Sequence, residues 1–141
     1  MRQKLLMGLF ALFLSGVSMA DHSAVEQRQA IFEQVEEDTE RLEKLFEQQQ
    51  WDKSVALALT LKNQLQSLQG LFPEESKGEG RSRSKIWDNW QDFSQRLGRL
   101  ENNYQQINSA LLAGNQTQAE QALDDAGSSC RSCHMKYRSL W

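Results

Sequence analysis

The chain has 141 residues, 39% hydrophobic and 25% charged, with 19 acids against 16 Lys and Arg and a formal charge of −3. This acidic balance argues against nucleic acid or an anionic lipid surface as a partner. The length suits one domain with one modest core and is too short for two.

Residues 1–20, MRQKLLMGLFALFLSGVSMA, set Arg2 and Lys4 before an apolar run at 5–14, with small residues at Ser18 and Ala20. That order is expected of a secretory signal peptide, and the run is short for a membrane span. The expected domain is then residues 21–141, which without Arg2 and Lys4 keeps 14 cations against 19 acids, a formal charge of −5. No later segment is apolar for long enough to enter a membrane.

The first helix is expected to start at Ser23, where Ser23 and Glu26 have the spacing of a capping box. Its apolar side runs Val25, Phe32, Val35, Leu42 and Phe46, flanked by Ile31 and Leu45. Asp52 is a good cap for a second helix carrying Val55, Ala58, Leu61, Leu65 and Leu68. Residues 70–84, GLFPEESKGEGRSRS, collect Gly, Pro, Ser and charge and form the one long loop. Ser84 then caps a third helix with apolar positions Ile86, Trp90, Phe93, Leu97, Leu100, Tyr104, Ile107 and Leu111, spaced in fours and threes. Gly114 ends it and Asn115 caps a fourth helix, whose stripe is Ala119, Leu123, Ala126, Cys130, Cys133 and Tyr137. The expected fold is all-α, an antiparallel up-down-up-down four-helix bundle with both thiols turned toward the core.

The stretch CRSCHMKYR, residues 130–138, holds the chain's two cysteines. Positions three and four apart share a helix face, so Cys130, Cys133 and His134 can meet one flat object lying in the bundle. A covalently bound haem c has that need: two thiols form thioethers with its vinyl groups and the adjacent imidazole takes the iron. A thioredoxin-like dithiol belongs at the start of a helix after a strand, and structural zinc wants four ligands where this chain offers only Cys130, Cys133, His134 and a His22 expected to be frayed ahead of the first helix. Ala119, Ala122 and Ala126 leave space beside the thiols, and Gly127, two turns before His134, would be explained by close approach of a bulky group.

In such a bundle the end of the last helix lies beside the start of the first, so residues from near Arg28 to Val35 should cover the far face of the haem, with Phe32 as the large apolar candidate. Met135 adjoins His134 and cannot reach that face, and His22 precedes the first helix. A lysine or the terminal amine remains, and five-coordinate iron is expected. A hydrocarbon-lined open side disfavours polar bound oxygen more than nitric oxide or carbon monoxide.

Together, CRSCHMKYR near the C-terminus, EQRQAIF and ERLEKLF in the first helix, the loop LFPEESKGEG and IWDNWQDF resemble cytochrome c′, of the class II cytochromes c, over all of residues 21–141. The resemblance implies a periplasmic four-helix bundle, usually a homodimer through the first two helices. It also implies thioethers at Cys130 and Cys133, the proximal ligand at His134, distal shielding by Phe32, propionate contacts from Arg28 and Gln29, and a basic residue, Arg138, beside the histidine. Where relatives often carry an acidic residue before Ile-Trp, this chain has RSRS at 81–84, and no haem contact is assigned there. Trp51 has no role from sequence.

The expected function is binding of nitric oxide and carbon monoxide with discrimination against oxygen, without enzymatic turnover. Electron exchange with a redox partner protein is the alternative, and a haem-free exported interaction module is a third reading.

Overall fold

A computed structural model describes residues 23–140; the signal-peptide expectation lies outside the described residues. Helix α1 spans Ala24–Glu47, α2 Trp51–Leu68, α3 Lys85–Asp88, α4 Trp90–Leu112 and α5 Gln116–Tyr137. The four long helices form an antiparallel bundle in which α1 packs on α2, α2 on α4 and α4 on α5. Among the described residues, no helix is long and apolar enough to cross a membrane.

Local chemistry sets the ends of α1. Ser23 Oγ accepts from the Glu26 amide at 3.2 Å and Glu26 Oε2 accepts from the Ser23 amide at 3.0 Å, completing the capping box. The α1–α2 turn is different from the expectation. Gln50 precedes α2 without a side-chain cap, and Asp52 lies inside the first turn, where its charge faces the positive helix end. Trp51 meets Phe46 edge to face at 5.3 Å between ring centroids, closing that end of the bundle.

The expected third helix is broken. Asn89 leaves helical geometry at φ −131° and ψ 41°, separating α3 from α4, and Ser84 makes no side-chain cap. Ile86 and Phe93 are buried on either side of the break, whereas Trp90 is 39% exposed. The indole of Trp87 accounts for this: it donates to the carbonyls of Phe72 and Pro73 at 3.1 and 3.2 Å, holding α3 against the loop. A continuous helix would swing that ring off the loop carbonyls. Beyond the break, Phe93, Leu97, Leu100, Tyr104 and Ile107 are buried as their spacing predicts, and Ala110 is buried where Leu111 is only half-buried. At the next junction Gly114 takes a positive φ of 72°, and Asn115 Oδ1 caps α5 by accepting from the Gln118 amide.

Loop 70–84 is an ordered wall, pinned by a charge buried in α1. The Arg28 guanidinium is 1% exposed and donates to Leu71 O, Ser76 Oγ, Ser76 O and Glu79 O. It also lies over the rings of Phe72 and Trp87. Gly80 closes the loop onto α1: its φ is +64°, and a Cβ there would stand 2.8 Å from Gln29 Nε2 and 3.0 Å from Val25 Cγ1. Replacing Arg28 by Lys, which lacks the planar fork, should cost roughly 2–4 kcal/mol by leaving buried carbonyls unpaired. A lower urea midpoint with unchanged slope is the expected readout.

Candidate cofactor site

The facing surfaces of α1 and α5 do not pack tightly where the sequence makes them neighbours. A cavity of about 350 Å³ lies there, walled by α1, α5, the first half of α4 and the loop before α3. Its apolar wall comes from Phe32 and Val35 of α1, Ile86 of α3, and Phe93, Leu97 and Leu100 of α4. All seven residues singled out from sequence, Arg28, Gln29, Phe32, Cys130, Cys133, His134 and Arg138, line this one cavity.

Helical periodicity on α5 carries the two thiols and the imidazole to the same wall. Cys130 and Cys133 are half-buried against the edge of the core and are free thiols. Burial pushes both thiols up, Cys133 to about 11, with Glu36 and Glu43 adding to the effect at Cys130. A redox dithiol needs the opposite shift, toward the thiolate, and these sulfurs sit near the negative end of their helix. Among the described residues no group of three or more His, Cys, Asp or Glu is placed to hold a metal ion, and His22, the fourth zinc candidate, lies outside the described residues. Gly127 lines the cavity, but an added Cβ would meet only Arg131 Nη1 at 3.7 Å, so the chain itself does not crowd it.

His134 reaches from α5 toward α1, with Nε2 3.9 Å from Glu36 Oε1. Arg138, one turn further on, bonds Glu36 at 2.6 Å and stands 3.3 Å from His134 Nδ1. Burial and the Arg138 charge hold the imidazole below its ordinary value, Glu36 opposes them, and the outcome favours the neutral ring that a metal takes. The two arginines expected at the cofactor thus differ. Arg138 is beside the imidazole, while Arg28 spends both terminal nitrogens on the loop and keeps Nε as a buried donor with no partner.

Several site residues were not read from sequence. Glu36 lies one turn after Phe32 on the same face, a spacing that would have revealed it. Arg81, in the segment left unassigned, also lines the cavity. Asp92 shows in sequence only its i+4 pairing with Arg96: its Oδ2 accepts from Arg96 Nε and also from Lys136 Nζ and the Tyr137 hydroxyl, joining α4 to the last turn of α5. These three donors hold its carboxyl well below the usual carboxylate range. Because the folded value is the lower one, this contribution is complete above about pH 4 and is lost as pH falls toward the folded value. The stability difference between wild type and Asp92→Asn should therefore narrow on acidification from pH 4, measured by urea unfolding at a series of pH values.

The cavity fits a haem on the chemistry of its walls. Two uncharged thiols three residues apart, a neutral imidazole on the same helix face and an apolar interior share one chamber. Comparison with known proteins agrees. A family model described as Cytochrome C′ matches residues 23–138. A cytochrome c′ of Alcaligenes xylosoxydans xylosoxydans is 32% identical over 59 residues, 42% of this chain, and the match spans 46% of that relative's length. Among solved structures, recombinant native cytochrome c prime from Alcaligenes xylosoxidans superposes with a TM-score of 0.75 at 25% identity, over 82% of this chain and 94% of that one. A nitric oxide complex of a mutant of that cytochrome also gives 0.75 at 25% identity, over 84% of this chain and 94% of that one. Its ferric form gives 0.76 at the same identity and the same two coverages.

Proposed function

Since the chain belongs to the cytochrome c′ family, whose cofactor is haem c, we propose that it is a periplasmic haem protein that binds nitric oxide and carbon monoxide and discriminates against oxygen. Cys130 and Cys133 would hold the haem through thioethers, and His134 would bind its iron. The bound haem supplies an iron that takes diatomic ligands. The domain is residues 21–141, released from a signal peptide at 1–20, and two copies pair through α1 and α2.

One observation carries the five-coordinate reading: the large apolar side chain that α1 adds to the lining, among the polar Gln29, Glu33 and Glu36, is Phe32, which has no donor atom. Met135 is 79% exposed and turned away from the cavity. The Glu36 carboxylate is engaged by Arg138. Phe32 also offers no hydrogen bond to a polar ligand, which weakens oxygen most and nitric oxide least. The nearby Thr39 hydroxyl does not alter this, because it is already bonded to Val35 O and the Tyr104 hydroxyl. On the other wall Arg138 stands beside His134 as a donor to a ligand arriving from that side. Arg28 Nε and Gln29 are the α1 donors available to the propionates. Electron transfer between proteins is served best by six-coordinate iron, which this ligand set does not favour.

Optical and resonance Raman spectra of ferric and ferrous protein, with and without nitric oxide, test the reading. High-spin five-coordinate signatures in both oxidation states, and a nitrosyl band on adding the gas, are expected. A low-spin six-coordinate spectrum without added ligand would overturn it.

A further inference from the structure

Two segments of this acidic chain are basic. Residues 77–85 and 131–140 contain seven Lys and Arg and one acid, net +6, against −3 for the whole chain, leaving −9 on everything else. The fold joins these two segments. The Arg83 amide donates to Tyr137 O at 3.0 Å, and the Ser139 amide donates to Arg81 O at 2.8 Å. Part of this charge is neutralised internally, since Lys77 pairs with Asp88, Lys136 with Asp92 and Arg138 with Glu36. Arg81, Arg83, Lys85 and Arg131 are exposed and form no ion pair among the described residues. On the same basic segment Met135 and Leu140 are each 79% exposed.

We propose that this end of the bundle docks an acidic protein surface, with Met135 and Leu140 as the apolar centre and Arg81, Arg83, Lys85 and Arg131 as the charged rim. An apolar centre within a polar rim is the anatomy of a protein–protein contact. The unpaired cations set its orientation and speed its approach, because they attract an acidic partner locally while the chain's net charge of −3 disfavours contact elsewhere. The same polarity disfavours a membrane. A flat anionic surface extends beyond the patch and meets the exposed Glu33, Glu37 and Glu40 of α1, whereas a compact protein can match the patch alone. His134 is 39% exposed at this surface, so a docked partner lies against the cofactor cavity. The patch is present whichever ligand the cavity holds.

The test uses the haem-loaded protein and a small acidic flavodoxin as probe, followed by nuclear magnetic resonance titration and calorimetry at low and high salt. Shifts confined to residues 77–85 and 131–140, abolished by salt, are expected. The pair Arg83→Glu and Lys85→Glu, neither of which lines the cavity, should weaken binding by about tenfold or more. The pair Lys44→Glu and Lys53→Glu, at the opposite end with the same change of charge, should change it by less than about twofold. Equal losses from both pairs would reduce the effect to net charge and overturn the docking surface. Shifts mapping elsewhere on the wild-type protein would overturn it even if a variant failed to fold. Co-sedimentation with phosphatidylglycerol vesicles without flavodoxin binding would assign the patch to a membrane instead. The nitric oxide spectra of the same variants should match wild type, which separates failure of docking from failure of the gas-binding reading.

Discussion

Replacing both Cys130 and Cys133 by alanine should abolish covalent haem, so that acid-acetone extracts all red colour and the denatured polypeptide runs colourless on a gel stained for haem. The single substitutions should retain a covalent fraction with a shifted pyridine haemochrome band, because one thioether suffices for attachment. These two are the chain's complete complement of cysteine, so no other sulfur can compensate. Both are half-buried at the edge of the core, and losing a thiol there removes little packed volume. Helical content by circular dichroism should stay near that of the wild-type polypeptide, which isolates the chemical effect. Red colour resistant to extraction in the double variant would contradict the assignment.

Substituting Phe32 by alanine should raise the rate of carbon monoxide binding by on the order of tenfold, equivalent to about 1.4 kcal/mol off the barrier. The side chain lines the cavity and is only half-buried, so its removal enlarges the chamber without opening the bundle core, which Val35, Leu42 and Phe46 of the same helix maintain. Phe32→Leu, keeping most of the volume, should fall between. Flash photolysis or stopped-flow mixing of the ferrous protein gives the rates. An unchanged rate in the alanine variant would remove Phe32 as the gate and place ligand entry elsewhere.

Several parts of the molecule were legible without a structure because they depend on neighbours within one helical turn. The capping box at Ser23, the stop at Gly114, the cap at Asn115 and the buried stripe of α4 all follow from side chains at i, i+3 and i+4. The same periodicity places Cys130, Cys133 and His134 on one face of α5. Phe32 was reached by one further step, the antiparallel closure of a bundle with short turns.

Other features were not legible because their partners are far apart in sequence. Periodicity read Ser84 onward as one helix, and a ring bonded to carbonyls 14 and 15 residues earlier broke it at Asn89. Arg28 was expected, by resemblance, at the cofactor propionates. Its donors instead bond the loop 43 to 51 residues later, so most of the guanidinium is committed to structure. Asp92, a surface acid by composition, ties α4 to residues 44 and 45 positions later in α5.

By itself the sequence determined four amphipathic helices and a haem-attachment face, since backbone periodicity and residue type act locally and need no partner. Only the tertiary structure decided which polar residues serve the cavity and which serve the frame, and brought two basic segments about fifty residues apart to one end of the bundle. Burying the loop carbonyls and the guanidinium of Arg28 is tolerable only when each supplies the other's hydrogen bonds, and that condition is met through space.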